Sequence, residues 1–228
     1  MDLKAQSISK RFYRKAGESN YFYAVRETDL ELPSGALSVL MGRSGSGKTT
    51  LLSMLSGLLS PDTGTVTADG RDLYSMDDRK LSAFRAARIS VMPQGRAVLD
   101  TLSAWENVFL NARIAGVRDE SLVPRALELM ERFGIPDLKE ALPKELSGGE
   151  LRRVMLCRSL LLSPEVLMCD EPTGDLDDQN TGLVLDSLRD YAHQGHTVLL
   201  VTHEADAVSY ADRLLQMDAG RISTPDPV

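Results

Sequence analysis

The stretch GRSGSGKTT, Gly42 to Thr50, decides the fold because of what flanks it. The apolar run ALSVLM (Ala36 to Met41) precedes it, and TLLSMLSGLL, with apolar residues at helical spacing, follows. Gly42, Arg43, Ser44, Gly45, Ser46, Gly47, Lys48 and Thr49 fit G-x-x-x-x-G-K-[ST], a pattern expected by chance in about one chain of this length in a hundred. A strand before it and a helix after it make chance rarer still. The glycines let backbone N–H groups turn inward around phosphates, and the helix N-terminus adds positive potential. Lys48 supplies a compact charge for the β- and γ-phosphates, the Thr49 hydroxyl is a ligand for Mg²⁺, and Thr50 extends the loop. This loop is expected to bind a nucleotide.

The composition allows that reading and narrows the rest. The chain has 228 residues, 43% hydrophobic and 26% charged, enough for one domain with an inserted subdomain. Its formal net charge is -7, with no dense Lys/Arg run, so nucleic acid is not expected as the main partner. Cys157 and Cys169 have neither metal-ligand spacing nor a disulfide framework, which suggests reduced core thiols in a cytosolic protein. The opening MDLKAQSISK lacks the apolar core of a signal peptide. No run approaches the roughly 18 apolar residues of a membrane span.

Short β-type runs dominate the first half: LKAQSIS, YFYAVRETDLEL, ALSVLM and GTVTADGRDL. Asp69-Gly70 predicts a hairpin turn, so part of this region is antiparallel. From about Leu99 to Ser163 the pattern becomes helical. In SLVPRALELMERFG, Leu122, Ala126, Leu129, Met130 and Phe133 lie at helical spacing and Gly134 ends the run. EVLMC and HTVLLVT then return as strands apolar on both faces, with the helix candidate LVLDSLRDYAHQ between them. The class is α/β, with an N-terminal antiparallel portion and a helical insert.

In VLMCDEP, Asp170 and Glu171 directly follow four apolar residues, at the strand end where open α/β sheets bind ligands. Asp170 is placed to hold Mg²⁺ and Glu171 to polarise an attacking water. His203 follows TVLLVT in the same way, as a γ-phosphate donor, and Gln94 follows ISVMP as an amide for Mg²⁺ or the water. A second glycine motif, Leu146-Ser147-Gly148-Gly149-Glu150, fits the S-x-x-E capping box of a helix start. Two adjacent glycines are costly there unless another backbone approaches closely. A helix N-terminus with free N–H groups is also a second anion site, supplied most simply by a head-to-tail dimer.

In this order the motifs resemble those of the ATP-binding-cassette (ABC) ATPases. GRSGSGKT looks like the Walker A, Gln94 the Q-loop, LSGGE the signature, VLMCDE the Walker B, GDLD the D-loop and His203 the switch histidine. The resemblance implies a P-loop NTPase with a RecA-like core at 1–94 and 159–228, an antiparallel β portion, and a helical subdomain at 95–158. It implies a homodimer that holds two ATP molecules with Mg²⁺. Each ATP lies between the Walker A of one protomer and the signature of the other, and Asp177 crosses the interface. Phe12, then Tyr13, is expected to stack on adenine; the cluster Tyr21-Phe22-Tyr23 is a competitor for that place, with strand packing its main expected role. EPTGDLD with VTHE is similar to the lipoprotein-releasing and macrolide-efflux group. That group partners integral membrane permeases and sits peripherally on the cytoplasmic face. Asp175 stands where that group commonly has Asn, and VMPQGRAVLDTLSAWENV departs from its usual sequence. Two other classes stay open: a regulator of a non-transporting membrane partner, and a soluble mechanical ATPase.

Overall fold

The computed structural model describes residues 1–13 and 21–224. The strands are β1 (Leu3–Tyr13), β2 (Tyr21–Leu32), β3 (Leu37–Met41), β4 (Thr63–Ala68), β5 (Arg71–Asp72), β6 (Ile89–Met92), β7 (Val166–Asp170), β8 (Thr197–Thr202), β9 (Arg213–Asp218) and β10 (Arg221–Ser223). The α-helices are α1 (Lys48–Leu55), α2 (Asp78–Arg88), α3 (Ala104–Ile114), α4 (Val123–Arg132), α5 (Gly148–Leu160) and α6 (Asp178–His193).

The described strands form two sheets. One is antiparallel, in the order β2-β1-β4-β5, and its β4–β5 hairpin turns at Asp69 (φ 47) and Gly70 (φ 77). Positive φ at both turn residues is what a two-residue hairpin requires, as the Asp-Gly pair predicts. The other runs β10-β9-β3-β8-β7-β6, parallel except for β10. Strands β9 and β10 go beyond the sequence expectation. In β9 only Leu215 and Met217 are buried, a short alternation at the sheet margin that gives a weak signal.

The period of two along each central strand divides the interior into two cores. In β7, Leu167 and Cys169 pack with α3, α4, α5 and α6, while Val166 and Met168 face α1 and the antiparallel sheet. Strand β8 divides likewise, Val198 and Leu200 against Leu199 and Val201. Each fully buried aliphatic side chain contributes about 1.5–3 kcal/mol, so β7 and β8 anchor both layers. Helix α5 is buried over the whole run Val154 to Leu160, because it packs against α3, α4 and β6. The expected subdomain boundary at 158 falls inside this helix.

The parallel register sets the site. Met41 pairs with Thr202, Asp170 with Val201 and Met92 with Cys169, so the carboxyl ends of β3, β8, β7 and β6 share one edge. The segments that leave that edge are 42–47, 93–94, 170–171 and 203–204. Among the described residues no helix is long and apolar enough to cross a membrane.

Candidate functional site

Gly47 ends the loop and caps α1 with a left-handed backbone, φ 111. A Cβ there would collide with the Ala24 carbonyl oxygen and come within 2.8 Å of the Met217 methyl. At Gly42 a Cβ would lie 2.5 Å from the Met217 carbonyl oxygen. The β9–β10 turn braces the same loop: the Gly220 amide donates to the Ser46 carbonyl at 2.9 Å. The loop is therefore a close-walled cradle that only glycines complete.

Inside it, buried Lys48 donates from Nζ to the carbonyls of Gly42 at 2.6 Å and Arg43 at 3.0 Å. Thr49 donates from Oγ1 to Asp170 Oδ2 at 2.6 Å. Asp170 is buried at the end of β7, and burial pushes its carboxyl above the ordinary range, opposed by the Thr49 hydrogen bond. A hydroxyl and a carboxylate oxygen side by side are hard donors of the kind Mg²⁺ takes. With a glycine cradle and a cation next to them, these residues fit a metal that arrives with a phosphate chain.

Glu171 follows in left-handed conformation, φ 52, its N–H donating to the Val201 carbonyl at 2.8 Å. Its buried carboxylate accepts from Thr202 Oγ1 at 3.0 Å and lies 2.8 Å from His203 Nδ1. That hydrogen bond first, and the Glu171 charge second, raise the His203 pKa. The ion pair is therefore complete below the ordinary histidine value of about 6.5 and is lost as pH rises through the higher folded value. The His203 ring protons should titrate above the ordinary value by NMR, and Glu171→Gln should return them toward it. An unshifted ring in the intact chain contradicts this pairing.

These groups line one cleft of about 870 Å³ with Arg43, Ser44, Gly45, Gly47, Thr50, Gln94, Phe12, Phe22 and Ala24. Gly42 and Ser46 shape the loop from behind and are not in the lining. Tyr13 is exposed and also lies outside it, because consecutive strand residues face opposite sides. The second aromatic on the cleft is Phe22, the register partner of Phe12, with ring centroids 6.1 Å apart. Tyr21 and Tyr23 instead pack edge to face at 5.9 Å, as strand packing implies.

Leu146, Ser147, Gly148, Gly149 and Glu150 do not line this cleft. The capping box is formed: Glu150 N–H donates to Ser147 Oγ at 3.2 Å, and the Glu150 carboxylate accepts from Ser147 N–H at 2.7 Å. The bonds from Ser147 hold the Glu150 carboxyl below its ordinary range. Ser147→Ala should therefore cost about 1 kcal/mol in chemical denaturation, and an unchanged midpoint contradicts the cap. Gly149 has a local cause of its own. A Cβ on Gly149 would meet Leu176 Cδ2 at 3.0 Å and the Asp175 carbonyl at 3.2 Å. Leu146 and Gly148 border a second hollow of about 270 Å³ with Gly95, Arg96 and Asp175. Asp177 caps α6, accepting from Asn180 N–H at 2.8 Å. Both cysteines are buried and free, and burial pushes their thiols up.

Several supporting residues lie in or beside the motifs without having been given a role there. Arg152 Nη1 donates to the Glu171 carbonyl at 2.7 Å, and Thr173 bonds to Glu204, whose own N–H donates to Thr202 Oγ1 at 3.1 Å. Arg152 and Glu204 thus reach the Glu171 turn from different elements, and Thr173 meets Glu204 from within it.

Residues 25–174 match the ABC transporter family. The lipoprotein-releasing system ATP-binding protein LolD of Bacteroides fragilis (strain YCH46) is 38% identical over 195 residues, 85% of this chain and 90% of that protein. The probable export ATP-binding/permease protein MacB of Pseudomonas entomophila (strain L48) is 35% identical over 96% of this chain, which spans only 32% of its length. The methionine import ATP-binding protein MetN of Brucella abortus (strain 2308) is 37% identical over 90% of this chain and 56% of its own. Among solved structures, the dimeric bacterial ABC transporter cassette MJ0796 superposes with a TM-score of 0.88 at 28% identity, over 99% of this chain and 100% of that one. MJ0796 has also been solved as a dimer in a post-hydrolysis state bound to ADP and Pi. At that likeness the α/β fold described above is a cassette fold with a RecA-like core.

Proposed function

This chain belongs to the ABC transporter family, and from that premise we propose that it is an ATP-hydrolysing subunit that energises a separate membrane permease. The observation that carries the reading is the convergence of Lys48, Thr49, Gln94, Asp170, Glu171 and His203 on one cleft at the carboxyl edge of a parallel sheet. Phosphoryl transfer from ATP needs positioning and charge stabilisation more than covalent help. The loop 42–50 and Lys48 hold the phosphates. Thr49, Asp170 and Gln94 would hold Mg²⁺, which would supply charge neutralisation to the phosphate chain. Glu171 polarises the water, His203 turns from Glu171 to the γ-phosphate, and Phe12 with Phe22 borders the base.

The ATP site is completed in the reading by Ser147, Gly148 and Gly149 of a second copy, with Asp177 at the interface. The separation of that motif from its own cleft, and the dimeric assembly of MJ0796, support this. ATP binding closes the dimer, hydrolysis reopens it, and the permease follows. Residues 95–158 act as the helical subdomain between them, and the chain sits peripherally on the cytoplasmic face. The transport proposed is extrusion of a lipid, lipoprotein, peptide or drug, and the likeness to the lipoprotein-releasing LolD over 90% of that protein supports the lipoprotein member of that set.

Capture of the tagged chain from detergent-solubilised membranes tests this. Recovery of a multi-span protein with stimulated ATP hydrolysis is the expected result. Recovery of DNA or ribosomes instead contradicts it.

A further inference from the structure

Arg152 stands on the second turn of α5 and reaches away from that helix to the Glu171 turn. Its Nη1 donates to the Glu171 carbonyl at 2.7 Å, and its Nη2 lies 3.7 Å from Asp175 Oδ2. The side chain is 13% exposed and is not part of the cleft lining. Glu171 (φ 52) and Asp175 (φ 66) are both left-handed, a conformation that costs a non-glycine residue energy unless its surroundings enforce it. Gly174 between them needs no such freedom. A Cβ there would stand 3.1 Å from Arg152 Nη2, so the glycine lets the guanidinium lie against the chain.

From the sheet side the turn is held by Val201, Thr202 and the Thr173–Glu204 bond. Arg152 brings α5 to it. The carbonyl it grips and the carboxylate that faces the cleft belong to one residue, so displacing one reorients the other. Misplacement of a reacting group by about 1 Å is enough to cost about a hundredfold in rate.

We propose that Arg152 is a positioning residue for Glu171 and ties it to the Ser147-Gly148-Gly149 start of the same helix. The inference rests on the roles given above to Glu171 and to the dimer. In that dimer the helix start meets the partner's nucleotide, so Arg152 makes Glu171 in one site respond to occupancy of the other. Such a link appears as positive cooperativity in ATP.

Steady-state hydrolysis by the purified full chain, with ATP binding and melting measured alongside, tests it in Arg152→Gln and Arg152→Lys. Loss of a charge-assisted hydrogen bond should lower kcat about tenfold or more in Arg152→Gln. KM and ATP affinity should stay unchanged, and the Hill coefficient of hydrolysis should fall below that of the intact chain. Arg152→Lys should recover part of kcat, because an ammonium also donates to the Glu171 carbonyl. A lower melting temperature with normal kcat per folded molecule overturns the proposal, as do proportional changes in kcat and KM. Glu171→Gln separates the two levels. If it turns over normally, the Glu171 role fails and takes the Arg152 role with it. If it is inactive while Arg152→Gln is unimpaired, only the Arg152 proposal fails.

Discussion

Glu171→Gln should lower ATP turnover by about 10²–10⁴-fold, the contribution of a positioned general base, while ATP affinity is retained. The amide keeps the shape of the side chain and a hydrogen bond from Thr202, which donates to Glu171 Oε2 at 3.0 Å. It cannot accept a proton from water. The phosphate cradle and the Thr49–Asp170 pair, 2.6 Å apart, are untouched by the change. The variant should therefore bind ATP, close its dimer and stall there. Single-turnover hydrolysis beside equilibrium binding checks both halves. Normal hydrolysis removes Glu171 from its role, and lost binding makes that role structural.

Lys48→Ala should act at the opposite end of the same cycle. The ammonium is buried inside the loop, held by the Gly42 carbonyl at 2.6 Å and the Arg43 carbonyl at 3.0 Å. Those carbonyls keep it in place and leave its charge for a phosphate. Charge-assisted hydrogen bonds are worth about 1.5–3 kcal/mol each, so losing two to the β- and γ-phosphates weakens ATP binding by about a hundredfold or more. The cradle is built by Gly42, Gly47, Ala24 and Met217, so the variant should still fold. Calorimetric titration with MgATP, beside circular dichroism, reads both. An unchanged affinity contradicts the assignment of Lys48.

Much of the site is legible in the amino-acid sequence, for identifiable reasons. The loop 42–50 is local in sequence and its chemistry needs consecutive residues, so its pattern is self-contained. Asp170, Glu171 and His203 could be read because each follows a strand apolar on both faces, and parallel pairing puts such ends on one edge. The aromatic pair could not be read as well. Whether Phe22 meets Phe12 depends on the β1–β2 register, which shifts at three places between Ala5 and Arg11. A one-residue slip turns a strand's side chains to the other face, so local sequence cannot choose among Tyr21, Phe22 and Tyr23. Arg152, Thr173 and Glu204 stayed hidden for a different reason. Their partners lie 19 to 31 residues away, and a polar side chain in or beside a motif gives no local sign of what it bonds to. The glycine pair at 148–149 gave part of its meaning: close approach is met at Gly149, where the backbone of Asp175 comes near, while Gly148 has only ordinary contact with the Asp175 side chain.

The composite site, half from each of two copies, is the centre of the account, and sedimentation velocity with MgATP tests it most directly. Glu171→Gln should sediment as a dimer with MgATP and as a monomer without it. Glu171→Gln combined with Ser147→Arg should remain monomeric in MgATP while each chain still binds nucleotide, more weakly than Glu171→Gln alone because the contribution of the partner is lost. A dimer that survives Ser147→Arg, or a loss of ATP binding by the monomer, would contradict the account by placing Ser147 outside the partner's site.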